Sequence, residues 1–386
     1  MPTLLEELVA DLNKNVFYRE FSYSKNVFVP SAAETEIEFA DHVVWVDDLL
    51  VIYQLKERDP GGDQSEDSER KWFRKKVLNS ATKQVRDTLQ FLEEHPRIEI
   101  TNQRGHTLNV NSGSIRHIVK LVLYKPSASL PVDCLTTKSH LSRTAGLIHI
   151  VAWDDYQGLC GTLITPAEVA EYFHFRERLL TKHSAADITS ERALVGQFLM
   201  GDSDATPDEQ NSLLVSRLIT DLEAFDISFL LDGVADRIEH QEGTGSDVDY
   251  YGIIVEFAKL ARLELKEVKT RFTLCIDAVK ANRLTAPMRM ITAGSRCGFA
   301  FIPTERENVP RRLTGLKNLS HIAKYEQRLN RLVGMSIAKE GTDFLIDWCL
   351  LDFPWKRDDV LEAAVRDRNP FRPLRSVVRP RYHIRT

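Results

Sequence analysis

Two apolar runs meet at an acidic pair near the N-terminus: Asp41-His42-Val43-Val44-Trp45-Val46, then Asp47-Asp48, then Leu49-Leu50-Val51-Ile52-Tyr53-Gln54-Leu55-Lys56. β-branched and aromatic residues at this density favour extended chain, and two polar residues between the runs suit a hairpin turn. This hairpin constrains the fold more than any other feature. It brings Asp41 and Lys56 to the same open end, away from the turn. Side chains alternate along a strand, so Gln54 and Lys56 share a face with Leu50 and Ile52, while Val51, Tyr53 and Leu55 point the other way. A lysine ending an apolar strand needs solvent or a carboxylate, and Asp41 is the natural partner.

That cluster has a chemistry. A hard cation such as Mg²⁺ takes oxygen ligands and keeps several waters. Asp41, the Gln54 side-chain oxygen and the Leu55 carbonyl supply three such oxygens. Lys56 is then placed to stabilise charge that develops during hydrolysis of a phosphodiester. The competing reading is an ordinary Asp41–Lys56 salt bridge at a sheet edge, with Gln54 a polar cap.

The rest of the chain supplies context. Residues 3–17 place Leu4, Leu5, Leu8, Val9, Leu12 and Val16 on one helical face. Residues 59–70 are polar and read as a mobile loop. A helix from Trp72 to Glu94 follows, its stripe being Phe73, Val77, Ala81, Val85, Leu89 and Leu92, with Gln84 at the edge. Lys71, Arg74, Lys75 and Lys76 at its start form a basic cluster that suits phosphate contact. Strands are expected at 98–101, 108–110, 115–124 and 147–153. Thr165-Pro166-Ala167-Glu168 is a helix start with N-cap, first-turn proline and capping-box acid. The polar zone 183–211, with a short helix from Glu191 to Met200, reads as a linker between domains at 1–182 and 212–386. Helices over about 248–263 and 264–280 and strands at 290–292, 298–303 and 342–351 make the second domain α+β. Its tail carries Arg366, Arg368, Arg372, Arg375, Arg379, Arg381 and Arg385 against Asp367 alone.

The net charge of -5 weighs mildly against a nucleic-acid binder, although a metal-dependent nuclease needs acids at its centre. Five cysteines without a CxxC pair point to a reducing, cytoplasmic compartment and away from structural zinc. No stretch approaches a membrane span, and the acidic start Met1-Pro2-Thr3-Leu4-Leu5-Glu6-Glu7 is no secretory signal. His42 beside Asp41 reads as structural. His149, Asp154 and Asp155 lack a third ligand at a diagnostic spacing.

An acid, a spacer of about a dozen residues and then Gln-x-Lys on an apolar strand resembles the PD-(D/E)xK nuclease superfamily over roughly residues 1–125. The order of elements matches too: a leading helix, a hairpin carrying the motif and a helix packing behind it. The resemblance implies a restriction-endonuclease-like α/β fold, a mixed sheet flanked by helices, with the second α+β domain serving recognition, regulation or assembly. It implies Asp41 as the first acid, Gln54 in the place where many members have Glu, and Lys56 as the lysine. Gln84 matches a helical glutamine of RecB-like members, and Glu7 or Glu6, ahead of Glu20 or Glu38, the acid of the first helix. Ala40 replaces the proline, and Gln54 lowers the negative charge, so metal affinity depends on a further carboxylate. The expectation is a Mg²⁺- or Mn²⁺-dependent nuclease acting on nucleic acid, with DNA favoured over RNA, a role in restriction or anti-phage defence by analogy, and pairing of copies to cut both strands. The rivals are a non-catalytic binding or scaffold protein on a degenerate nuclease fold, and a hydrolase of another phosphoester.

Overall fold

A computed structural model describes the chain except residues 1–2, 25–26, 29–36, 60, 185–186, 189, 202, 220–221, 238–244, 284, 377–379 and 386. Arg379 of the basic tail therefore lies outside the described residues. The chain forms two compact units, Met1–Thr220 with Tyr382–Thr386, and Asp221–Arg381.

The first unit is mixed α/β. Its sheet consists of β1 (Ser22–Ser24), β2 (His42–Val46), β3 (Leu49–Lys56), β4 (His117–Tyr124), β5 (Ser139–Ser142) and β6 (Gly146–Ala152), in the order β1-β2-β3-β4-β6-β5. β2 and β3 are antiparallel, while β3–β4 and β4–β6 are parallel. Parallel neighbours need a crossover, which explains why a long helix separates β3 from β4. That crossover runs as α2 (Glu66–Trp72), a π-helical stretch (Phe73–Ser80) and α3 (Ala81–Glu94). It starts earlier than the sequence predicts. Ser65 Oγ accepts from Ser68 N–H and caps a first turn that lies within the polar segment 59–70. The π stretch has a reason in the stripe. Phe73, Val77, Ala81 and Val85 repeat every four residues, and the 3.6-residue α-turn would carry them progressively round the helix. The wider π turn counters this drift, and all four pack with Val122 and Tyr124 of β4.

The other sheet face is covered by α1 (Leu4–Val16) and α4 (Trp153–Thr162). Tyr53 OH of β3 donates to Tyr156 OH at 2.9 Å, because Tyr156 OH gives its own proton to Asn13 Oδ1 at 2.7 Å. α1 opens with a full capping box, Thr3 with Glu6. α5 (Pro166–Lys182) starts as the sequence predicts, with Thr165 Oγ1 accepting from Glu168 N–H.

The expected linker at 183–211 is a correction. α6 (Glu191–Met200) buries Ala193, Leu194, Val195, Phe198 and Leu199, and belongs to the first unit. Its Glu191 is buried and grips buried Arg176 of α5 through Nε (2.8 Å) and Nη2 (2.9 Å). A buried guanidinium requires such a partner, so the helix cannot detach as a linker. The boundary at 212 also moves, because residues up to 220 stay with the first unit and the C-terminal residues return to it. Ile219 N–H donates to His383 O and Arg385 N–H to Arg217 O.

The second unit holds a mixed sheet, β7 (Met288–Ile291), β8 (Gly298–Pro303), β9 (Arg331–Glu340) and β10 (Asp343–Asp352), in that order. Helices α7 (Arg262–Lys280) and α8 (Arg312–Glu326) pack on it. Phe257, Val268, Phe272, Phe299, Met335 and Ile337 lie in its core. Among the described residues, no helix is long and apolar enough to cross a membrane.

Candidate active site

The site is built by the end of the hairpin. Trp45 pairs with Leu50 and Val46 with Leu49, so Asp47 and Asp48 form the two-residue turn. Asp47 adopts φ 53°, the left-handed region that two-residue hairpin turns demand and aspartate tolerates. At the other end β2 begins at His42, opposite Tyr53, so β3 runs on past its neighbour. The Leu55 N–H that would lack a strand partner donates instead to Asp41 Oδ2 at 2.6 Å. Lys56 Nζ donates to the same oxygen at 3.1 Å and to the Leu55 carbonyl at 3.0 Å. The Asp41 and Lys56 side chains are only 14% and 11% exposed, so this ion pair is shielded from water on most sides. Hydrogen bonds to an ionised group in such surroundings are short and strong.

Gln54 shares a sheet face with Ile52 and pairs in register with Val122 of β4. It is 2% exposed, and its Oε1 has no hydrogen-bond partner. Val122 packs against Ala81 and Val85, which places the helix edge carrying Gln84 over this same face. Gln84 Oε1 is also buried without a partner. An orphaned buried acceptor costs about 1–3 kcal/mol. Two of them on facing elements are an unfavourable arrangement unless something else uses them.

The structure brings Asp41, Leu55 and Lys56 together and sets Gln54 and Gln84 on one side of the sheet. Glu7 is exposed on α1, whose first turn reaches the same strand end through the Leu5 N–H bond to Glu57, and Glu6 is taken up by the capping box through Thr3 N–H. α1 lies against the face that Tyr53 occupies. Glu20 is buried and ion-paired to Arg104 at 2.7 Å. The Glu38 side chain lies outside the described residues.

Two acids that the sequence does not single out stand near the strand end. Glu57 follows Lys56 directly, accepts from Leu5 N–H at 3.0 Å and meets Lys125 Nζ at 3.5 Å. Glu69 of α2 is fully buried, accepts from Arg58 Nε at 2.7 Å on Oε1, and leaves Oε2 without a partner. The signal for Glu69 is a capping serine four residues earlier, inside a segment that reads as loop.

Two buried histidines are structural. His42 lies between Ser22 Oγ (Nε2, 3.2 Å) and Ser24 Oγ (Nδ1, 3.0 Å), and burial pushes its pKa down to about 3. His149 Nδ1 is 2.8 Å from Arg176 Nη1. Burial and that guanidinium hold it well below its usual value, so neutral imidazole accepts from the arginine. Trp72 and Phe73 are core, while Lys71, Arg74, Lys75 and Lys76 are exposed.

Among the described residues, no group of three His, Cys, Asp or Glu side chains gathers as a metal cage. The oxygens of Asp41, Gln54 and Leu55 are hard donors, and the Leu55 carbonyl keeps a second lone pair beside the Lys56 bond. The orphaned Gln54 Oε1 fits a hard cation that keeps several waters, and does not fit a soft metal. No family model matches the chain, and comparison with curated proteins and with solved structures gives no match either.

Proposed function

We propose that the first unit is a metal-dependent phosphodiesterase of the PD-(D/E)xK type acting on nucleic acid, with DNA as the favoured substrate. The observation that carries this reading is the meeting of Asp41 with Lys56 at 3.1 Å beside a buried, unpartnered Gln54 Oε1. The run of helix, hairpin, crossover helix and parallel strand supports a restriction-endonuclease-like fold. Asp41, Gln54 and the Leu55 carbonyl would hold Mg²⁺ or Mn²⁺. When bound, such an ion supplies Lewis acidity to the scissile phosphate. The residues do the rest. Lys56, held by Asp41 and the Leu55 carbonyl, presents a fixed ammonium to charge developing on phosphate oxygens. The Leu55 N–H anchors the Asp41 carboxylate in place. Gln84 orients groups at the helix side.

A second reading has an observation of its own. Asp41 Oδ2 already has two donors, so the cluster is self-satisfied and suits a non-catalytic scaffold. Linear and circular DNA and RNA, incubated with Mg²⁺ or Mn²⁺ and then with EDTA, separate the two. Cleavage that needs metal and is lost in Asp41→Asn and Lys56→Ala supports the enzyme. The amide that Asp41→Asn introduces still offers an oxygen to Leu55 N–H and Lys56, and the melting curve of each variant separates lost activity from lost folding. Intact substrate under every condition defeats the enzyme reading.

A further inference from the structure

We propose that the exposed face of the crossover helix is a docking surface for the phosphate backbone of duplex DNA. Residues 70–86 hold seven Lys and Arg and no Asp or Glu, in a chain whose net charge is -5. Arg70 is tied to Asp133 and Glu66. The other six, Lys71, Arg74, Lys75, Lys76, Lys83 and Arg86, are all exposed, while the stripe Phe73, Val77, Ala81 and Val85 is buried against the sheet. The Asp133 carboxyl, held below its usual range by Arg70 and to a lesser degree by Arg74, offsets part of this charge. Concentrated like charge on one rigid element is costly to the free protein and is offset by a polyanion that releases its counterions on binding.

Placement favours the same substrate as the proposed site. Arg58, two residues beyond Lys56, donates through Nε to Glu69 and through Nη2 to Ser68 Oγ at 2.9 Å. This clamp fixes the start of the helix beside the strand end that carries Lys56, so Lys71–Lys76 begin next to the candidate site. Six residues separate Lys76 from Lys83, roughly 10 Å along a helix axis. The cations thus extend along the exposed face over a length comparable to the major groove of B-DNA, which is about 12 Å wide.

The inference rests on the nuclease reading for the class of partner, and its test reads binding alone. Fluorescence anisotropy in EDTA follows a mixed-sequence DNA duplex, the corresponding single strand and an RNA of equal length from about 0.05 to 0.3 M salt. The first variant carries Lys71→Gln, Arg74→Gln, Lys75→Gln and Lys76→Gln, which keep helix propensity; Lys83→Gln with Arg86→Gln is the second. At about 0.9 counterions per contact, the first should flatten the log–log salt slope by about 2–4 and weaken duplex binding by about two to three orders of magnitude at 0.15 M salt. Unchanged slope in both folded variants overturns the surface, as does wild-type protein that binds RNA or single strand better than duplex. Binding with the expected slope change but no cleavage supports the surface and defeats only the nuclease reading. Cleavage with an unchanged slope defeats the surface alone.

Discussion

Replacing Gln54 by leucine separates a metal ligand from a structural residue. Gln54 is 2% exposed and its Oε1 has no partner. Without metal, that oxygen costs about 1–3 kcal/mol. Leucine has similar bulk, carries no polar atom and faces Ile52 and Val122, so the variant should be more stable in EDTA by about 1–3 kcal/mol. For a unit of this size, each kcal/mol moves the midpoint by about 2–4 °C, so the first transition should rise by about 2–12 °C. Magnesium reverses the comparison. An ion at a hundredfold excess over its Kd stabilises the wild type by about 2.7 kcal/mol, and the variant should gain much less. Differential scanning calorimetry in EDTA and in Mg²⁺ reads both effects, with cleavage lost in parallel. A variant that melts below the wild type in EDTA, or an equal Mg²⁺ shift in both proteins, refutes the assignment. A gain in stability with loss of function is what a residue kept for its ligand should show.

Two further outcomes concern the buried polar groups. His42 has its pKa pushed from an ordinary 6.5 to about 3, so between those values the unfolded chain binds the extra proton. Its contribution to stability is therefore complete above about pH 6.5 and is lost as pH falls, by about 1.4 kcal/mol per pH unit. His149 acts in the same direction. His42→Gln keeps partners for Ser22 and Ser24 and should flatten the stability slope between about pH 6 and 5 by about 1 kcal/mol per unit in urea titrations; an unaltered slope counts against a neutral His42. Glu191→Gln leaves Arg176 buried without its counter-charge and should cost about 3–5 kcal/mol in the same titration, whereas a loss below about 1 kcal/mol means the pair is not sealed from water.

The hairpin is legible because its signals are local. β3 occupies residues 49–56 as its apolar run indicates, and the turn is the acidic pair. Thr165 and Pro166 likewise announce α5 without reference to the rest of the fold. What the sequence conceals depends on distant contacts. β9 gives no clear signal, because Leu332-Val333-Gly334-Met335-Ser336-Ile337-Ala338 lacks the alternation of a half-buried strand. It is a central strand between parallel β8 and antiparallel β10, buried on both faces. Gly334 marks this place: a Cβ there would lie 2.1 Å from Ser320 Oγ on α8. α6 resembles linker because its neighbours are polar, and its Glu191 is explained by Tyr172 and Arg176, 19 and 15 residues earlier. The acid of the first helix is hard to read from the sequence for a related reason. Helical periodicity tells which residues face the core, but not which face of the sheet the helix covers, and α1 covers the face of Tyr53.

On the proposed reading, the substitution of an amide for an acid at Gln54 has a physical logic. Carboxylates gathered for a cation repel one another when it is absent, and one must then pick up a proton or force the strands apart. Here Asp41 is the carboxylate that Lys56 neutralises, with Leu55 N–H as a second donor to the same oxygen. The amide oxygens of Gln54 and Gln84 add donor capacity without adding charge, at the cost of desolvating two dipoles. The same neutrality weakens the pull on the ion, because a neutral amide contributes less than a carboxylate to holding Mg²⁺. On that reading, substrate phosphates drawn in by the cationic helix would supply the negative charge that the protein withholds. Metal binding should be stronger with DNA present than without it, which ties the ion to the complex that needs it.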